Sequence, residues 1–144
     1  MSGLIDTNLL VYAVNQDSPH RPKVQAFLEE QLNQSEFIYV CWANLYEFLR
    51  VTTHPRVFTH PLSWSQAFGF LEAFVQSAQV EILREGDEHP QILKDILSHI
   101  RNPQGNLMHD CHVAALMKEH AVKTIYTHDT DFRLFEFLKV VDPI

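Results

Sequence analysis

Five short apolar runs, separated by stretches of helical period, restrict this chain to few architectures. Leu4-Ile5, Phe37-Ile38-Tyr39-Val40, Val80-Glu81-Ile82-Leu83, Thr124-Ile125-Tyr126-Thr127 and Leu138-Lys139-Val140-Val141 each read as a short strand. Such runs suit a sheet covered on both faces. Between them, Val24, Phe27, Leu28 and Leu32 recur on one helical face behind Pro22, a good first-turn residue. Trp42 to about Val51 reads as a helix that His54-Pro55 breaks. Ser63-Trp64-Ser65-Gln66 is a capping-box pattern. Behind it Trp64, Ala67, Phe68, Leu71, Phe74 and Val75 repeat at helical spacing, and the aromatic stripe Trp64, Phe68 and Phe74 is expected in the core. Pro90 opens a helix carrying Ile92, Leu93, Ile96, Leu97 and Ile100. The turn Asn102-Pro103-Gln104-Gly105 then leads into another, from about Leu107 to His120. Strands alternating with helices predict an α/β/α sandwich with a short, mainly parallel central sheet.

The 144 residues suit one domain, expected over 1–144, with no repeat or long linker. No apolar run approaches the roughly 20 residues of a membrane span. Met1 to Asp6 holds no basic region leading into a long apolar stretch, so the default location is cytoplasmic. Cys41 and Cys111 lie in apolar segments and are expected as buried, reduced thiols. The net charge of −7 disfavours a general nucleic-acid binder, which needs a basic face for phosphates. It disfavours a cation-dependent nuclease much less, because clustered carboxylates account for part of the excess.

Four acids fall where open parallel sheets bind ligands, beyond the carboxyl ends of the strands. Asp6 follows the first strand and Asp129 the fourth. Glu47 lies about one turn into the helix after the second strand, and Asp110 in the first turn of the helix before the fourth. Two carboxylates ~4 Å apart repel by about 4 kcal/mol at an effective dielectric near 20. Such a cluster persists only if some members protonate or a cation neutralises them. Mg²⁺ and Mn²⁺ prefer oxygen ligands and keep several waters. Held there, such an ion can acidify a water and stabilise a phosphodiester under attack. Each acid also has a plainer reading: Asp6 as a helix cap, Asp110 as a complement to a helix dipole. Spacing alone does not separate the two.

The motifs are more specific. Leu4-Ile5-Asp6-Thr7-Asn8 resembles the opening Asp-Thr-Asn motif of PIN domains, and Glu47-Phe48-Leu49-Arg50 their helical glutamate segment. Asn106-Leu107-Met108-His109-Asp110 resembles the third-acid helix, and Thr127-His128-Asp129-Thr130-Asp131-Phe132 the closing motif. All four occur in the right order. The chain is most similar to the VapC toxins of bacterial toxin–antitoxin pairs. That resemblance implies a Mg²⁺- or Mn²⁺-dependent endoribonuclease that arrests translation by cutting structured RNA, a transfer or ribosomal RNA loop. It also implies a homodimer and a small inhibitory antitoxin of the VapB type. By the same likeness Asp6, Glu47, Asp110 and Asp129 bind metal, Thr127 orients the site by a hydrogen bond, and Asn8 supports Asp6. Asp131 is either a weaker metal contact or the cap of a short following helix. His109 departs from the small neutral residues common beside the third acid.

Other features carry less. His109, Cys111 and His112 fit no common zinc spacing, and neighbours on a helix point to different faces. His112 or His128 could touch phosphate at the rim, although solvated or capping roles are more usual. Arg50, one turn from Glu47, is the first candidate for a phosphate contact, with Arg56, Arg101 and Arg133 behind it. Phe70, with Trp42 or Phe48, is a candidate groove for an antitoxin helix. Two other functions stay open from sequence: a non-catalytic PIN module binding RNA or protein, and an Asp-x-Asp phosphotransferase. The second is disfavoured because Asn8 stands at the second acid.

Overall fold

A computed structural model describes residues 2–144. Its strands are β1 (Gly3–Ile5), β2 (Ile38–Cys41), β3 (Val80–Leu83), β4 (Thr124–Tyr126) and β5 (Lys139–Val141). The helices are α1 (Thr7–Val14), α2 (Arg21–Asn33), α3 (Trp42–Thr52), α4 (Trp64–Val75), α5 (His89–Ser98) and α6 (Asn106–Glu119), with a 3₁₀ helix over Thr130–Leu134. The sheet has the order β3-β2-β1-β4-β5 and every pairing is parallel. The expected α/β/α sandwich is therefore present, with a sheet parallel throughout.

Alternation along β1 splits the core into two layers. Leu4 points to a cluster built with Cys111, Val113, Ala114 and Met117 of α6, Ile96 of α5 and Phe132. Ile5 points the other way, to Leu9, Val24, Leu45, Phe48 and Leu71 from α1 to α4. Gly3 sits where no side chain fits. A Cβ there would come within 2.8 Å of the Thr124 carbonyl and of the Tyr126 ring. Cys41 and Cys111 are free and buried, and burial pushes the Cys41 thiol up to about 11. No helix among the described residues is long and apolar enough to cross a membrane.

The capping box at Ser63 forms with both reciprocal bonds, but the helix behind it is rotated from expectation. Its buried residues are Ala67, Leu71 and Phe74. Trp64 is 75% and Phe68 42% exposed, so of the expected aromatic stripe only Phe74 is core. Two adjacent ridges on α4 are apolar, and only the 67-71-74 ridge faces the sheet. The expected groove is also corrected. Phe48 is fully buried, its ring 5.3 Å from that of Phe70. Phe70 and Phe74 line a shallow groove with Ala13, Leu28 and Leu32, between α1, α2 and α4, and Trp42 takes no part.

Candidate active site

Topology sets the place of the site. From β1 the chain runs outward to β2 and β3, then returns to the other side of β1 for β4 and β5. A crevice opens where that order reverses, beyond the carboxyl ends of β1 and β4. Pairing of Ile5 with Tyr126 and the 3.0 Å bond from the Asp6 N–H to the Tyr126 carbonyl set Asp6 beside Thr127.

Asp6 caps α1, its Oδ1 accepting the Thr7 N–H at 2.8 Å. Its other oxygen, Oδ2, accepts the Thr127 hydroxyl at 2.7 Å. The capping reading is thus correct and incomplete, since one oxygen caps and the other faces β4. Thr127 Oγ1 also accepts from Asn8 Nδ2 at 3.0 Å and from the Asp129 N–H at 2.9 Å. A hydroxyl has one donor and two acceptor positions, so all three are used. Asn8 supports Asp6 through Thr127 rather than directly, and its Oδ1 accepts the His128 N–H at 3.3 Å.

Asp129, not Asp131, caps the 3₁₀ helix: its Oδ1 accepts the Asp131 N–H at 2.9 Å. Asp131 lies in the first turn of that helix with its carboxylate at the cavity. Asp110 sits one residue past the first turn of α6, since that helix begins at Asn106 rather than near Leu107. Glu47, on α3, is 3.2 Å from His109 Nε2 and 3.8 Å from Arg50.

Asp6, Glu47, Asp110, Asp129 and Asp131 all line one open cavity of about 460 Å³, with Asn8, Tyr12, Arg50 and His109. Arg56, Arg101 and Arg133 do not reach it. His128 is turned to Asp142, at 2.9 Å, and His112 to Glu85, at 2.7 Å. Two residues at the site escaped the sequence reading. In the sequence His109 stands out only as a departure beside Asp110 and in a disfavoured zinc trio, yet its Nε2 lies 3.2 Å from both Glu47 and Asn44 Oδ1. Asn44, wholly buried, lies three residues before Glu47 on the same face of α3. That spacing was its only signal.

The electrostatics are those of crowded like charges. Burial raises the Asp6 pKa and Glu47 adds to the rise, against the Thr127 and Thr7 hydrogen bonds and His109, which lower it. Asp110 is pushed up to about 7 by burial, then by the negative charges of Asp129, Asp6, Asp131 and Glu47. Among the described residues no three of these acids bring ligand oxygens within 4.8 Å of one another. They line the cavity from several elements, and a hydrated Mg²⁺ needs only one or two carboxylates beside its waters. Asn44 Nδ2 is a buried donor without a partner, the kind of atom that a functional site leaves unpaired.

The PIN domain family model matches residues 3–138. The sequence is 33% identical to Ribonuclease VapC48 of Mycobacterium tuberculosis over 143 residues, 99% of this chain and 98% of the relative. A crystal structure of VapBC2 from Rickettsia felis bound to a promoter DNA fragment is similar in fold. Its TM-score is 0.69 at 18% identity, over 98% of each chain. VapC20 of Mycobacterium tuberculosis, described as a sarcin-ricin loop cleaving toxin, gives 0.65 at 14% identity over 93% and 94% of the two chains. Fold and family match define a PIN-domain protein. The whole-length likeness to VapC48 places this chain in the VapC group of that family.

Proposed function

We propose that this chain is a Mg²⁺- or Mn²⁺-dependent endoribonuclease, the toxin of a toxin–antitoxin pair, with Asp6, Glu47, Asp110 and Asp129 as its metal-binding acids. The observation that carries the reading is the convergence of five carboxylates on one cavity, with Asp110 raised to about 7. Carboxylates held this way are relieved by a divalent cation, and the oxygen-rich set suits Mg²⁺ or Mn²⁺. Bound there, such an ion supplies Lewis-acid stabilisation of phosphate charge and lowers the pKa of water.

The chain's own residues do the rest. Thr127 and the Thr7 N–H fix both oxygens of Asp6. Asn8 and the Asp129 N–H fix Thr127 in turn. His109 holds Glu47 against Asn44. Arg50, exposed at the rim beside Glu47, offers a guanidinium to an incoming phosphate. Asp131 serves as a weaker, outer contact. The substrate is structured RNA, a transfer or ribosomal RNA loop, and its cleavage inhibits translation. That class is supported by the name of VapC48 and by the loop-cleaving activity stated for VapC20. A VapB-type antitoxin would lay an amphipathic helix in the groove of Leu28, Leu32, Phe70 and Phe74. The toxin itself pairs as a homodimer in the cytoplasm.

Expression of the wild-type chain should arrest growth, and the purified protein should cut RNA with Mg²⁺ to 5′-phosphate and 3′-hydroxyl ends. Asp6→Ala should abolish both. Equal growth arrest and equal cleavage by wild type and Asp6→Ala would overturn the assignment.

A further inference from the structure

A second group of metal-ligating side chains lies outside the acidic cavity. Glu85, in the segment after β3, His89 at the start of α5, and His112 on α6 each bring one donor atom within 4.8 Å of the others. None of the three lines the cavity of Asp6 and Asp110. His112 follows Asp110 by two residues, which turns it about 200° around the helix axis. His112 and Glu119 are seven residues apart, close to two full turns, and share a face.

One of the two imidazoles, His89, has the supporting carboxylate contact common to metal-binding histidines. Glu119 Oε2 holds His89 Nδ1 at 3.0 Å, and this pair is only 13% and 9% exposed. The other Glu119 oxygen accepts the Gly86 N–H. Gly86 allows that approach, because a Cβ there would meet the carboxylate at 2.8 Å. With Nδ1 donating to Glu119, Nε2 of His89 carries the lone pair, and no hydrogen bond among the described residues uses it. A metal-binding histidine shows this arrangement, one nitrogen on the ion and the other N–H on a carboxylate. His112 Nε2 lies 2.7 Å from Glu85 Oε1, and the two imidazole rings meet edge to face at 5.4 Å and 72°.

We propose that Glu85, His89 and His112 bind a transition-metal dication of the Zn²⁺ class. Two imidazoles and a carboxylate are a known zinc set with a fourth position open to water, and imidazole donors select against Mg²⁺. Glu85 and Glu119 together balance the charge of the ion. The trio His109, Cys111 and His112 is still not a zinc site, since His109 faces Glu47 and Cys111 is buried. His112 belongs instead to a set completed from the segment after β3. The ion would clip that segment and α5 to α6, the helix that also carries Asp110, and it stands apart from the cleavage chemistry.

The test is titration of untagged, chelator-stripped protein with Zn²⁺ by calorimetry and with Co²⁺ by visible absorption. Wild type and an Asp6→Ala/Asp129→Ala variant should each bind one Zn²⁺ tightly, with a rise in Tm and a tetrahedral Co²⁺ spectrum. His89→Ala and His112→Ala should lose that binding, and Glu119→Gln should weaken it about 10–100-fold. Glu85→Gln, at a half-exposed carboxylate, reports on the site if a histidine variant fails to fold. The proposal is overturned if wild type takes up no Zn²⁺, if the histidine and Glu85 variants bind it unchanged, or if the double acid variant loses it.

Discussion

Thr127 is the residue on which the acidic cavity is organised, because one hydroxyl ties together Asp6, Asn8 and the start of the 3₁₀ helix. Replacement by Val keeps the shape and strands three polar partners. Each buried polar group left unpaired costs about 1–3 kcal/mol. Thr127→Val should lower Tm and cut RNA cleavage by about 10–100-fold, the usual effect of losing a contact that orients a metal ligand. Thr127→Ser should restore most of both, and equal activity of Thr127→Val and wild type would remove Thr127 from the site. Asp110 gives a pH prediction of definite sign. Its ordinary value is 3.8 and its value in the metal-free fold about 7, so between them the folded chain keeps a proton that the unfolded chain has lost. The stability this contributes is complete below 3.8 and is lost as pH rises through about 7. Thermal melts of metal-free protein should therefore show wild type losing ground to Asp110→Asn across that interval. Because a cation binds the deprotonated carboxylate, Mg²⁺ affinity should rise over the same range, and a flat affinity profile would contradict the assignment.

Among the elements, α4 separates what periodicity can reveal from what it cannot. Ser63 and Gln66 announce its start because a capping box is local chemistry, written within four residues. Its rotation is not local. Trp64 and Phe68 are as apolar as Leu71 and Phe74, and only the position of the sheet decides which ridge is covered. Leu71→Ala should accordingly cost about 2–5 kcal/mol in denaturant unfolding, while Trp64→Ala should stay within about 0.5 kcal/mol. The reverse order would mean that the exposed ridge is the packed one. The strands were legible for a related reason: each is a short apolar run that no helix could use alone. That the acids meet at one cavity was legible through the motifs around them. Asn44 and His109 were not, since the contact between them crosses from α3 to α6 over 65 positions. The cap at the 3₁₀ helix, one of two roles left open for Asp131, falls to Asp129; both acids have the right chemistry two residues apart.

Across the whole molecule, the parallel sheet and its two apolar layers hold the fold, and the acids contribute repulsion rather than cohesion. On the proposed metal dependence, removing the cation should silence cleavage without melting the fold. With chelator, RNA cleavage should vanish while far-UV circular dichroism stays unchanged, and Mg²⁺ should restore cleavage and raise Tm. Unfolding by chelator would show instead that an ion is a structural requirement. The crossing back of the chain to β4 has a further consequence, for the timing of synthesis. Asp6 leaves the ribosome well before Thr127, which binds it from 121 positions later. A nascent chain that carries Asp6, Glu47 and Asp110 still has no crevice, because one of its two walls, β4, has not been made. On the proposed function, such a nascent chain stays inert until β4 is made and Thr127 reaches Asp6.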